Sequence, residues 1–134
     1  MENGKITGIG GVFIKFNDPT QMRIWYQEAL GMPTNDYGVL FSNKGTPDEK
    51  GVLQLGTFEA DSTYFGSEKQ QVMLNFKVND LESFLLKLKA KHVKIVDEME
   101  TYSYGKFIHI EDPEGNRIEL WEPTDQSFED ETKL

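Results

Sequence analysis

The sequence contains no cysteine, only two histidines, and fewer basic than acidic residues. Without cysteine, neither a disulfide framework nor a thiolate site can form. Lys and Arg number 14 against 23 Asp and Glu, giving a formal charge of −9. This balance disfavours nucleic acid as a partner and favours neutral or cationic ligands. No apolar run is long enough for a signal peptide or a membrane span, so we expect a cytoplasmic protein with no membrane partner.

The chain has the length of one domain, at 134 residues. We expect a single domain over residues 1–123. Residues 124–134 are acidic and poor in apolar side chains, which is typical of a flexible tail.

Residues 106–123 are two alternating runs joined by a tight turn, which predicts a β-hairpin. Gly115 can take the left-handed conformation that such a turn needs. Aliphatic side chains share one face of this hairpin, and polar and aromatic side chains share the other. The second face is therefore either a solvated surface or the wall of a site. The turn implies the following pairs: His109 with Glu119, Glu111 with Arg117, and Phe107 with Trp121.

Capping residues and helical spacing predict two helices. Asp18 suits the N-cap of the first helix, and Gly31 suits its end. Trp25 recurs with apolar neighbours at helical spacing, which favours a core position over a ligand platform. Asn79 and Asp80 cap the second helix, whose apolar stripe consists of Leu81, Phe84, Leu85 and Leu88.

Two further strands show which side chains face away from the core. Residues 51–58 place Leu53 and Leu55 on the core face and Gln54 on the other. Residues 71–78 alternate in the same way, with the core face formed by Val72, Leu74, Phe76 and Val78. Met73 and Asn75 then point to the opposite face.

The two halves of the chain repeat one another. Residues 15–18 match residues 77–80 at an offset of 80 − 18 = 62. Module one spans about residues 6–58, a linker spans 59–70, and module two spans about 71–123. Each module has the order β-α-β-β-β, so we predict an α+β fold in which two tandem modules form curved mixed sheets around a cleft, with the helices on the outer face. The linker carries Tyr64 and Phe65, two aromatic residues that either anchor it or wall the cleft.

The chain resembles the vicinal oxygen chelate superfamily, which includes glyoxalase I, bleomycin-resistance proteins and extradiol dioxygenases. Residues 25–32 and 112–121 carry the resemblance most specifically, and it extends over about residues 6–123. It implies paired βαβββ modules, a homodimer and, in the family's metal enzymes, one ligand on the first and the last strand of each module. Those positions fall here at Gly11, Gln54, Met73 and Glu119.

Of these four positions only Glu119 carries a usual metal ligand. Glycine has no donor side chain, methionine is too soft for a hard oxygen-activating site, and a glutamine carbonyl is weak. A site with two histidines and one carboxylate would need both His92 and His109, and His92 follows the end of a helix. We therefore expect no metal and no cofactor, which disfavours metal-dependent glyoxalase or dioxygenase chemistry.

Two functions remain open. One is a protein that binds or sequesters a small aromatic or cationic compound, with a ligand site formed by Gln54, Met73, Asn75, Phe107 and Trp121. The other is a metal-independent lyase or isomerase in which His109 and Glu119 act as an acid/base pair. A His–Glu contact that only stabilises the sheet is the structural alternative.

Overall fold

The structure is a computed structural model that describes residues 4–42 and 52–124. The predicted loop at 43–50 and the predicted tail, apart from Thr124, lie outside the described residues. Module one comprises β1 (Ile6–Phe16), α1 (Pro19–Leu30), β2 (Thr34–Asn35), β3 (Gly38–Ser42) and β4 (Val52–Glu59). Module two comprises β5 (Val72–Val78), α2 (Leu81–Ala90), β6 (Lys94–Ile95), β7 (Glu100–Tyr102), β8 (Gly105–Glu111) and β9 (Arg117–Pro123).

The strands form one open mixed sheet in the order β2-β3-β4-β1-β5-β9-β8-β6, with β7 also paired to β8. Strand β1 runs parallel to β4 and antiparallel to β5, and β5 runs parallel to β9. The predicted α+β fold with two modules is confirmed. Module two has one more short strand than predicted, because β6 and β7 pair with different parts of β8.

The two faces of the sheet have different roles. Ile108 and Leu120 pack with Leu81 and Leu88 of α2 in a buried apolar cluster. We call this side the helix face. The opposite side, which carries Phe13, Asn75 and Glu119, is here called the cleft face.

The predicted register of the carboxyl-terminal hairpin is confirmed. His109 pairs with Glu119, and Phe107 pairs with Trp121. The turn is held by the Asp112 carboxylate, which accepts the backbone N–H of Asn116 at 2.9 Å. Gly115 has φ 86°, the left-handed conformation that the sequence predicts there.

The predicted caps Asp18, Gly31 and Asp80 are present, whereas the Asn79 side chain accepts hydrogen bonds from the backbone N–H groups of Gly4 and Lys5. The prediction that Trp25 lies in the core is wrong. Trp25 is 50% exposed and touches its neighbour Tyr26 edge-on. Tyr26 instead faces the sheet, where its ring meets Phe16 at 6.4 Å between centroids. Helical spacing alone does not distinguish these two adjacent aromatic residues.

The core prediction for β5 is correct for only half of that strand. Phe76 and Val78 belong to the cluster beneath α2, whereas Val72 and Leu74 are 46% and 39% exposed. Helix α1 packs against β1, β2 and β4, and α2 packs against β9. The first half of β5 lies between them, which leaves these two side chains partly exposed. No helix among the described residues is long and apolar enough to cross a membrane.

Candidate functional site

The cleft face encloses a cavity of about 510 Å³. Five aromatic side chains and two carboxylates lie among its lining residues, which are Phe13, Asp36, Tyr37, Gln54, Gly56, Thr57, Phe58, Tyr64, Tyr104 and Glu119. Within residues 4–42 and 52–124, no lysine, arginine or histidine lines it. Among the described residues, the lining is therefore largely aromatic, and its formal charge is negative.

The buried carboxylate of Glu119 on β9 accepts hydrogen bonds from three side chains. It is 2% exposed. Asn75 Nδ2 donates to Oε1 at 2.7 Å, and His109 Nε2 lies 2.9 Å from Oε2. The Tyr64 hydroxyl donates to the same Oε2. A buried charge is costly unless it is paired and hydrogen-bonded, and these donors meet that requirement.

His109 lies between two carboxylates. Its Nε2 faces Glu119, and its Nδ1 lies 2.6 Å from Asp97 Oδ2. Only a doubly protonated ring can donate to both. Burial acts to lower the pKa of His109, but the hydrogen bonds to Glu119 and Asp97 outweigh it, so the pKa lies above the ordinary histidine value. The arrangement thus favours the doubly protonated ring, with a carboxylate facing each nitrogen.

Asp97 reaches His109 because the edge of the sheet is interrupted between β6 and β7. Backbone pairing to β8 continues through Val96, whose N–H donates to the His109 carbonyl at 3.0 Å. Asp97 follows in the interruption and accepts the His109 backbone N–H at 2.8 Å. The Asp97 side chain is 34% exposed. It connects the buried histidine to the protein surface.

Tyr64 comes from the linker between the modules. Its ring stacks on Phe58 at 5.7 Å and meets the edge of His109 at 5.0 Å. Burial, together with the charge and the hydrogen bond of Glu119, raises the pKa of the Tyr64 phenol. The phenol therefore stays protonated and donates to the carboxylate.

Contacts of the residues that follow Tyr64 fix the linker to the sheet. Phe65 is fully buried. Lys15 Nζ lies 5.1 Å from its ring centroid and donates to the Ser67 carbonyl at 3.2 Å. Gln70 binds the backbone of Arg117 in both directions, at 2.8 Å each. The two roles considered for the linker aromatics thus both occur, because Phe65 anchors the linker and Tyr64 walls the cavity.

The predicted site residues lie in three places: in the cavity, in a recess beside it, and in the protein interior. Gln54 and Glu119 line the cavity. A recess of about 100 Å³ adjoins it, and its walls include three further predicted residues: Asn75, Phe107 and Trp121. His109 lies behind Glu119, and Met73 is fully buried; neither lines the cavity or the recess.

Sequence reasoning assigned no role to Asp97, Asp36 or Tyr104, and it left Tyr64 undecided. Asp97 and Tyr64 complete the hydrogen bonds around His109 and Glu119, while Asp36 and Tyr104 line the cavity. The only sequence signal for Tyr64 was its place beside Phe65 in a linker. No local pattern pointed to Asp97.

The residues at the family's ligand positions do not fit a metal ion. Gly11 pairs with Gln54 across β1 and β4 and has no donor side chain. Both oxygens of Glu119 already accept hydrogen bonds. In the described part of the chain, no group of three or more His, Cys, Asp or Glu is arranged to hold a metal.

Comparison with known proteins gives a family match and structural neighbours. The profile of the Glyoxalase/Bleomycin resistance protein/Dioxygenase superfamily matches residues 8–120. No curated protein sequence matches the chain significantly.

The solved structures that resemble the chain share its fold at low sequence identity. Methylmalonyl-CoA epimerase from Mycobacterium tuberculosis is 21% identical with a TM-score of 0.65, over 92% of this chain and 93% of that one. A variant of the Streptomyces coelicolor epimerase in complex with 2-nitronate-propionyl-CoA is 17% identical with a TM-score of 0.69, over 90% and 99%. The Legionella pneumophila structure described as an NAD-dependent benzaldehyde dehydrogenase is 17% identical with a TM-score of 0.57, over 85% and 98%.

Proposed function

We propose that this chain, which belongs to the Glyoxalase/Bleomycin resistance protein/Dioxygenase superfamily, binds a small cationic aromatic compound in its cleft without a metal ion. The observation that carries the proposal is the lining of the cavity. Aromatic rings surround it, and the charged groups that line it in the described part of the chain are the carboxylates of Asp36 and Glu119.

Both parts of the lining favour such a ligand. Aromatic faces attract cations through their quadrupoles, and they stack against flat rings. A carboxylate in a site of low dielectric attracts a cation more strongly than the same group in water. The volume of about 510 Å³ lies within the range of small-molecule sites.

The same lining does not suit the ligands that are named for the structural neighbours of this chain. The Streptomyces coelicolor proteins are described in complex with methylmalonyl-CoA or 2-nitronate-propionyl-CoA. Those compounds carry several negative charges. In the cavity, anionic groups would meet Glu119 and Asp36, with no basic lining residue among the described residues. The charge of the site supports a different ligand class.

A charge series of one ring system tests the proposal. Isothermal titration calorimetry would compare tryptamine (cationic), indole-3-propionamide (neutral) and indole-3-propionate (anionic). We expect tryptamine to bind most tightly, by about tenfold over the amide, which corresponds to roughly 1.4 kcal/mol. The anion should bind most weakly. Equal affinity for all three compounds, or a preference for the anion, would refute the proposal.

A variant that removes one charge tests whether Glu119 contributes to the preference for a cation. Glu119→Gln keeps the size of the side chain and removes its charge, which the facing His109 ring balances only in part, so the preference for tryptamine over the amide should fall. Glu98→Gln is the control, because Glu98 is exposed and lies outside the cavity lining. It removes the same charge from the protein as a whole. A similar loss in both variants would indicate a long-range effect of net charge rather than a site.

The hydrogen-bonded chain from Asp97 through His109 and Glu119 to Tyr64 favours acid–base catalysis as a second function. The Tyr64 hydroxyl would shift from Glu119 Oε2 to the carbonyl oxygen of a substrate. The freed Oε2 would then remove a proton from the carbon next to that carbonyl group, and Tyr64 would stabilise the enolate oxygen that forms. The proton would return from the Glu119 carboxyl to the carbon. No metal takes part in these steps.

Deuterium exchange tests this second function. In D2O, wild-type protein should incorporate deuterium next to the carbonyl of 2-tetralone faster than buffer does, and Glu119→Gln should not. Exchange at the buffer rate with wild-type protein would leave binding as the remaining function.

A further inference from the structure

One buried hydrogen-bond acceptor in the cleft has no donor among residues 4–42 and 52–124. Asn75 is 1% exposed, and its Nδ2 donates to Glu119 Oε1 at 2.7 Å. An ionised carboxylate only accepts hydrogen bonds, so this contact fixes which end of the amide is nitrogen. The other end, Oδ1, is buried, and no described residue donates a hydrogen bond to it. Buried polar groups are nearly always paired, so this atom marks a place where a donor is expected.

Asn75 lines the recess of about 100 Å³ that adjoins the larger cavity. Phe107 and Trp121 also line it, and their rings are nearly parallel, at 5.9 Å between centroids and 5° between planes. Phe13, Gln54, Tyr104 and Glu119 line both the recess and the cavity, so one ligand can extend through both. The recess has room for a small polar group or part of a ring, since one water occupies about 30 Å³ in the liquid.

Gly10 on β1 makes this recess possible. A Cβ atom there would lie 2.2 Å from Asn75 Oδ1 and 2.9 Å from Trp121 Cε3. Its φ is outside the positive region, so the backbone conformation does not require glycine. The requirement is space, because any side chain would fill the place next to the unpaired acceptor.

We propose that the recess receives an N–H group of the ligand, which donates to Asn75 Oδ1 while its ring packs against Phe107 and Trp121. The inference rests on the proposed function and narrows the ligand class to amines whose aromatic ring itself carries an N–H. The N–H edge of the ring enters the recess, and the cationic end lies in the larger cavity with its carboxylates.

Tryptamine and its benzofuran isostere, 2-(benzofuran-3-yl)ethylamine, test this directly by calorimetry. The two amines share size and charge and differ in the ring N–H, which oxygen replaces. Wild-type protein should bind tryptamine about tenfold or more tightly, because a site built to accept an N–H rejects the analogue that lacks it. Equal affinities would overturn the recess inference and leave the cation site in place. Absence of binding by both amines at millimolar concentration would overturn the proposed function as well.

Two glycines of β1 provide a matched pair of variants. Gly10→Ala places a methyl group against Asn75 Oδ1 and should abolish the preference for tryptamine over the benzofuran. Gly8→Ala is the control, because the nearest atom to its Cβ would be Lys77 Cε at 4.0 Å. It should keep the wild-type preference.

Asn75→Leu provides a second variant in case Gly10→Ala does not fold. It removes the acceptor, and both amines should then bind it with equal affinity. A preference for tryptamine that persists in Asn75→Leu would show that another group, or a water in the recess, accepts the hydrogen bond from the ring N–H. That result would refute the role of Asn75.

Discussion

Three side chains that donate hydrogen bonds to Glu119 hold the site together. Tyr64 and His109 donate to the same carboxylate oxygen, and Asn75 donates to the other. Hydrogen bonds to charged groups contribute more than neutral ones, about 1.5–3 kcal/mol each. The contribution of each donor to the free energy of unfolding can therefore be measured with a substitution that removes its hydrogen bond.

Tyr64→Phe removes the phenol and keeps the ring that stacks on Phe58. We expect the free energy of unfolding to fall by about 1–2 kcal/mol, less than for a fully buried donor because Tyr64 is 40% exposed. Urea denaturation measures the change. Tyr102→Phe is the matched control, since the Tyr102 hydroxyl donates to Glu100 at the exposed surface, and its effect should stay within about 0.5 kcal/mol. Equal effects in the two variants would contradict a stabilising hydrogen bond from the Tyr64 hydroxyl to Glu119.

The pKa of His109 predicts how stability depends on pH. Its pKa is raised in the folded protein, so its contribution to stability is complete below the ordinary histidine pKa of about 6.5 and is lost as pH rises through the folded-state pKa. Asp97→Asn removes one of the carboxylates that raise this pKa. The NMR titration midpoint of the His109 ring should therefore fall. The free energy of unfolding at about pH 6 should also exceed that at about pH 9 by less than it does in wild-type protein.

Glu98→Gln is the control for Asp97→Asn, because it removes the neighbouring exposed charge. It should leave the His109 midpoint close to the wild-type value. An unchanged midpoint in Asp97→Asn would mean that Asp97 does not hold the ring in solution.

At the scale of elements, the linker between β4 and β5 determines whether Tyr64 reaches Glu119. The Gln70 side chain accepts a hydrogen bond from the N–H of Arg117 and donates one to its C=O, as the backbone of a neighbouring strand would. Arg117 in turn donates from its guanidinium to the Tyr64 carbonyl at 3.4 Å. The linker is thus attached to the strand that carries Glu119.

Gln70→Ala should loosen this attachment. We expect faster amide hydrogen exchange over residues 62–70 than in wild-type protein, because local opening no longer has to break the two Gln70 hydrogen bonds. Gln71→Ala is the comparison, since the Gln71 amide donates to Glu68 at 3.2 Å within the linker itself. Equal exchange rates in the two variants would show that Gln70 does not hold the linker.

At the scale of the whole molecule, the two modules share one sheet through the antiparallel pairing of β1 with β5. The positions at which the family's metal enzymes carry ligands therefore meet on one cleft face, yet their side chains do not form a donor set for a metal. We expect EDTA to leave the melting temperature unchanged, because an ion that binds only the folded state would stabilise it. A fall in melting temperature that Zn²⁺ or Ni²⁺ reverses would refute this expectation.

The sequence by itself determined the parts of the protein that depend on local chemistry. Strand alternation and the Gly115 turn fixed the pairing of His109 with Glu119, because a period of two and a short turn leave little freedom of register. Asp18, Gly31 and Asp80 fixed the helix ends through capping. The repeat at an offset of 62 then set the order of elements.

Tertiary structure alone decided which side chains complete the site and which apolar residues are covered. Tyr64 and Glu119 are 55 positions apart, and their contact depends on how the linker docks on the sheet. Asp97 reaches His109 through a break in an edge strand, which has no periodic signal. Trp25 and Val72 follow apolar patterns but remain exposed, because a pattern shows which side a residue faces and does not show whether another element covers it.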